Sequence, residues 1–216
     1  LLSPIGNPVM KSKVQILFLL LLLLGSIYPA FVLAQQTEEQ LGAQYYNNRE
    51  FDKALATFEG LYSKNPSQFN YIYYVNTLFE LKEYDKAEKV IRKQLKSSPT
   101  DPRYQVDMGY LNILQGDIAK GRKIYEASLK DVVADKIQIY NLSYAFSGRR
   151  ETEYVIRTYL RGRELLKDKS AFAFELAYTY ESMGNTEAMI DEYLNLLTSN
   201  PQQMAMVQNR LQAWLS

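Results

Sequence analysis

The 216-residue chain contains no cysteine and no histidine. Without cysteine there is no disulfide, no thiolate metal ligand and no cysteine to carry an N-terminal lipid. A chain without thiols also escapes oxidative mispairing, which suits export to an oxidising compartment. Without histidine the commonest general base and metal ligand is missing. Ser-His-Asp and Cys-His catalysis are thereby excluded, and only carboxylate or Ser-Lys chemistry stays open. No Gly-rich phosphate loop, metal-ligand cluster or paired-carboxylate constellation stands out in the sequence. The expectation is a protein that is not an enzyme, with no catalytic residue, no metal and no cofactor. Charge of one sign is lacking too. There are 25 basic and 24 acidic residues; setting aside Lys11 and Lys13, which precede the processing site argued below, leaves 23 against 24, a net −1. So neutral a body gives no electrostatic reason to expect nucleic acid or an anionic membrane as partner.

What is present begins with an address. From Met10 the chain reads MKSKVQILFLLLLLLGSIYPAFVLAQQ, with Lys11 and Lys13 ahead of an unbroken apolar run from Ile16 to Leu24. Gly25 and Pro29 then break the helix, and Val32 and Ala34 place small or modest side chains where a signal peptidase reads. This pattern predicts a signal peptide over 10–34, cleavage before Gln35 and a periplasmic mature protein that meets the membrane only in transit. The alternative is an inner-membrane anchor over 14–33, about 20 residues and just long enough to span a bilayer. Residues 1–9 precede the charged start as an upstream extension without an assigned role.

The rest of the chain, 35–216, repeats itself about every 34 residues. Leu41-Gly42, Tyr45, Ala54, Phe58 and Pro66 return in degenerate form as Leu78, Ala87, Ile91 and Pro99, then as Met108-Gly109, Gly121 and Tyr125, and finally as Leu176-Ala177, Tyr180, Tyr193 and Pro201. Each unit reads as two antiparallel helices, A and B. A small residue in helix A lets helix B approach, a small residue in B packs into the crossing, and an aromatic in B fills the gap to the next unit. Proline near the end stops helix B, because it lacks an N–H and clashes with the preceding turn. Five units are expected, at about 35–67, 68–101, 102–135, 136–169 and 170–203. Asn47 and Asn48 are read as the first A–B turn. The fourth unit is the weakest, with Val155, Tyr159 and Gly162 in a helix B shifted by one or two residues. Residues 204–216 read as a capping helix or the start of a further repeat.

The Gly–Tyr–Ala–aromatic–Pro order at this spacing resembles the tetratricopeptide-repeat family over about 35–203. The resemblance implies an all-α fold, a right-handed superhelical solenoid of antiparallel helix pairs whose A helices line a concave groove. It also implies a protein or peptide partner, not yet identified, held in that groove by a scaffold. Signal peptide, Tyr-rich repeats and a Gln-Gln mature start together resemble exported repeat proteins of Bacteroidota-type bacteria.

Read in this register, the groove-facing positions are Tyr46 and Asn47 in the first unit and Phe69, Ile72, Asn76 and Phe79 in the second. They continue as Tyr110 and Ile113, Leu142 and Phe146, and Phe174 and Tyr178. Aromatic anchors beside amides suit an apolar helix face or an extended peptide; such stripes at helical spacing are also what a plain inter-helix core provides. The family's carboxylate-gripping mode uses Lys and Asn on successive A helices. Asn76 matches one amide position, but Glu39 stands where the lysine is required, which argues against that mode. A different class of partner, carbohydrate or peptidoglycan stacked on tyrosine rings, is the alternative for a chain with 18 Tyr. The cluster Arg149, Arg150, Arg157, Arg161 and Arg163 is interleaved with Glu151, Glu153 and Glu164 and reads as a solvated face with pairs such as Glu153–Arg157.

Overall fold

The structure, a computed structural model, describes residues 38–215. The upstream extension 1–9, the signal peptide 10–34, its cleavage at Gln35 and the alternative anchor 14–33 lie outside the described residues. Among the described residues no helix is long and apolar enough to cross a membrane, and every regular element is helical. The chain divides into two compact units, one ending at Glu83 and one beginning at Tyr84. The first holds α1 (38–47), α2 (Phe51–Lys64) and α3 (Gln68–Glu80). The second holds α4 (Tyr84–Ser97), α5 (Pro102–Leu114), α6 (Ile118–Asp131), α7 (Lys136–Gly148) and α8 (Thr152–Leu166). It continues with α9 (Ala173–Ser182), α10 (Thr186–Ser199), one 3-10 turn at Pro201–Gln203 and α11 (Met204–Leu215).

A single device closes each A–B turn. One residue takes the left-handed backbone conformation: Arg49, Lys82, Gly116, Arg150 and Gly184, spaced 33, 34, 34 and 34 residues apart. The N–H of the residue after it reaches back to a carbonyl five residues earlier, as Glu83 does to Leu78 and Asp117 does to Asn112 at 2.8 and 2.9 Å. This satisfies carbonyls that the helix end would otherwise orphan. Side-chain caps open many of the helices. Ser67, Asp101, Asp117, Asp135 and Asn185 each accept from a backbone N–H two or three residues on. Helix α1 extends through Asn47, so the first turn is Asn48-Arg49 rather than Asn47-Asn48.

Small residues sit where the helices must touch. In the first unit Ala54 and Phe58 are fully buried, and a Cβ added to Gly42 would meet the Phe58 ring at 2.9 Å. Phe58 in turn stacks on Tyr73 at 4.9 Å. In the second unit α5 and α6 cross backbone to backbone: a Cβ on Gly121 would lie 2.5 Å from the Gly109 carbonyl oxygen. The crossing positions of the A helices then recur as Ser143 and Ala177, both buried.

The shift expected in the fourth unit is absent. Arg150 follows Gly116 by 34 residues, as Gly184 follows Arg150. Val155 occupies the position of Gly121 and Tyr159 that of Tyr125, and all four are buried. What differs is side-chain size: a valine opposite a serine replaces a glycine opposite a glycine. Gly162 does separate work, since a Cβ there would meet Phe172 at 2.7 Å.

Candidate binding surface

The side chains named from the sequence fall into three groups. In the first unit Tyr46 is half-buried, edge-on to Phe51 and Tyr73 at 5.6 and 5.5 Å. Asn47 is exposed, Ile72 and Asn76 are half-buried, and Phe69 is 42% exposed while leaning on Tyr73 at 4.7 Å. Phe79 is core, at 8% exposure. In the second unit Leu142 and Phe146 are also core. Phe146 is wedged against Tyr125 and Tyr154, its ring centroid 5.1 and 5.0 Å from theirs. Ile113 is half-buried and lies over the position a Gly121 side chain would take. Tyr110 is half-buried under the Arg149 guanidinium, 5.1 Å from its ring. Only Phe174 and Tyr178, on α9, stand out into solvent, at 39% and 55% exposure.

Phe79, Leu142 and Phe146 therefore offer no open face to a partner. In α7 the open position is held by Tyr144, 58% exposed, which was not among the predicted groove residues. Its signal was available: counting back 34 residues from Phe174 and Tyr178 gives Tyr140 and Tyr144, two positions off Leu142 and Phe146.

Tyr144, Phe174 and Tyr178 line one cleft of about 380 Å³ between α7 and α9, with Ser143, Val155 and Tyr159 behind them. The walls are fixed from below. Tyr140 stacks against Tyr144 at 6.1 Å and donates its hydroxyl to Glu175 at 2.6 Å, tying α7 to α9. Burial, reinforced by Glu175, pushes the Tyr140 phenol well above its ordinary range, so it stays a neutral donor. Beyond Phe174 the surface continues onto α11 through Met206, Asn209 and Arg210. Arg210 lies 5.2 Å over the Tyr178 ring and 3.3 Å from Glu181. That carboxylate raises the guanidinium's pKa further and helps hold the cation on the ring face. The cleft thus offers two exposed phenols, one exposed phenyl ring and one cation. It is an apolar platform with few charges.

The arginine cluster is largely absorbed internally. Arg149 is buried against Asp107 at 2.6 Å. Arg157 grips Glu126 with two hydrogen bonds of 2.7 and 2.6 Å, and its expected partner Glu153 is farther, at 3.9 Å. Arg161 pairs with Glu164, and Arg163 pairs with Glu192 while donating to the Ala171 carbonyl. Among the described residues no group of three or more Asp or Glu is placed to hold a metal ion.

Residues 74–101 and 171–203 match the tetratricopeptide repeat family model. A TPR repeat-containing protein of Methanocaldococcus jannaschii is 25% identical over 163 residues, 74% of this chain but 28% of that protein, so the chain spans less than a third of that relative's length. A thermophilic TPR protein of Thermus thermophilus is 18% identical, with a TM-score of 0.41 over 84% of this chain and 100% of that one. MamA from Desulfovibrio magneticus is 15% identical, with a TM-score of 0.40 over 78% of this chain and 96% of that one. The chain therefore carries tetratricopeptide repeats, matched directly in two segments and repeated in the turn and crossing positions of its helix pairs.

Proposed function

We propose that this protein is an exported, non-enzymatic scaffold that binds a protein or peptide partner through the cleft of Tyr144, Phe174 and Tyr178. The observation that carries the reading is the exposure of these three rings on two A-type helices whose remaining large side chains are buried. Exposed aromatic rings cost solvation unless a partner covers them, and such rings are the anchors that dominate interfaces. The expected test pairs Tyr144→Ala with Tyr178→Ala and follows two quantities. Each truncation should weaken capture of the partner from envelope extract by about 30-fold, the equivalent of about 2 kcal/mol. Melting should stay put, because neither ring is core. Undiminished capture by both variants would remove the cleft from consideration.

Export follows from the N-terminal pattern and the absence of thiols. Mass spectrometry of the protein from its native envelope should find a mature terminus at Gln35, in the periplasm. A terminus at Met10 in the membrane fraction would establish the anchor over 14–33 instead.

The same exposed tyrosines favour one second reading, a peptidoglycan- or carbohydrate-associated role with sugars stacked on Tyr144 and Tyr178. Co-sedimentation with purified peptidoglycan separates the two. A protein scaffold stays in the supernatant, and a sugar binder pellets unless the two rings are removed.

A further inference from the structure

The largest cleft described in the second unit lies away from the aromatic one. It opens beside α6, between the α4–α5 connection and the start of α7, and encloses about 670 Å³. Its walls are apolar: Pro99 and Pro102 on one side, Ile124 and Ala127 along α6, and Val132, Val133 and Leu142 at the far end. Val133 is 49% exposed. A smaller cleft of about 210 Å³ shares Lys120 and Ile124 with it and runs on toward Glu88 and Arg92 of α4, over Met108 and Asn112 of α5. The two form one groove floored by α5 and bounded by even-numbered helices, whereas the aromatic cleft opens between odd-numbered ones.

Charge along this groove is polarised. Lys120 and Lys123 line it near the start of α6, and Asp131 lines it at the end. Among the described residues neither lysine ammonium has a carboxylate partner, and the nearby Glu88 is already held by Arg92 at 2.6 Å. From Lys120 to Asp131 is about 16 Å along the helix axis, the reach of roughly five extended residues. An apolar trough with two unpaired ammonium groups at one end and a carboxylate at the other is complementary to one polarity of peptide only.

We propose that this groove is a second docking site, for a short segment of a partner protein in which acidic residues precede apolar ones. The acidic end lies on Lys120 and Lys123, and the apolar side chains lie on Ile124, Ala127 and Val133. The site is independent of the aromatic cleft. It can therefore stand or fall whatever becomes of Tyr144 and Tyr178.

The test uses the full chain and two synthetic hexapeptides, acetyl-Asp-Glu-Leu-Val-Leu-Val-amide and the same peptide with Lys-Lys in place of Asp-Glu. Methyl NMR titration should show shifts confined to Ile124, Ala127, Val132 and Val133. The acidic peptide should bind about tenfold more tightly at low salt, the worth of two partly exposed ion pairs. Lys120→Glu with Lys123→Glu should invert that preference without moving the melting temperature, since both side chains are exposed. Ala127→Trp, which fills the trough, should abolish binding of both peptides, and Tyr144→Ala should change neither. Equal affinity for the two peptides, a preference indifferent to the charge swap, shifts centred elsewhere or no binding at all would each overturn the proposal.

Discussion

Asp107→Ala should destabilise the protein by about 3–5 kcal/mol, the largest loss expected of any single substitution here. The carboxylate on α5 is 2% exposed and its partner, the Arg149 guanidinium that follows α7, is 9% exposed. Two Arg149 nitrogens sit 2.6 Å from the same Asp107 oxygen, and the guanidinium also covers Tyr110. Removing the acid strands a cation in a site that water reaches poorly, and desolvation of that cation dominates the effect. For a chain of this size the midpoint should fall by roughly 10 °C. The pair's net worth is a separate quantity. Asp107→Leu combined with Arg149→Met removes both charges and should recover most of the loss, because an apolar pair carries no desolvation penalty. Urea denaturation of the three variants measures all of this, and a loss below 1 kcal/mol in Asp107→Ala would show the guanidinium to be hydrated after all.

Gly121→Ala should destabilise by about 2 kcal/mol, against the usual sign. Alanine is the better helix former by about 1 kcal/mol, and at Gly60, where a Cβ meets nothing within 4 Å, the same exchange should stabilise by about 0.5–1 kcal/mol. At Gly121 the new carbon would overlap the Gly109 carbonyl oxygen and the Ile113 side chain, both at 2.5 Å. Isoleucine can rotate away. The carbonyl cannot, because it belongs to the α5 ladder, so α5 and α6 must separate and lose the packing of Tyr125 beneath them. Melting curves of the two alanine variants should therefore move in opposite directions. A gain at both positions would mean that the α5–α6 crossing is looser than its backbone contact indicates.

The fold was largely legible because each requirement of the helix pair falls on a recognisable residue type. Ala54, Ala87 and Gly121 mark the crossings and Phe58, Ile91 and Tyr125 the gaps, and all are buried. The fourth unit was harder to read, because Ser143 and Val155 do the work of the glycines. A hydroxyl and a branched side chain do not advertise close approach, and register was lost by two residues. The site was less legible for a related reason. Tyrosine serves this chain both as core, in Tyr71, Tyr125 and Tyr193, and as surface, in Tyr144 and Tyr178, so residue type alone does not separate them. Strict counting by 34 would have put Tyr144 beside Tyr178. The turns hid in another way. Arg49, Lys82 and Arg150 hold a backbone conformation that glycine takes at Gly116 and Gly184, and no arginine or lysine suggests this in a sequence.

The bridges that join one helix pair to the next are short in sequence. Tyr140 to Glu175 spans 35 residues, Arg163 to Glu192 spans 29, and Asp107 to Arg149 spans 42. Closing loops of this length costs little chain entropy, and the cost rises only with the logarithm of length. Folding should therefore start wherever a hairpin first forms and spread to its neighbours, without waiting for the termini to meet. Opening should run the same way in reverse. A protease is expected to nick the terminal helix α11, packed on one side only, long before it reaches the α5–α8 core.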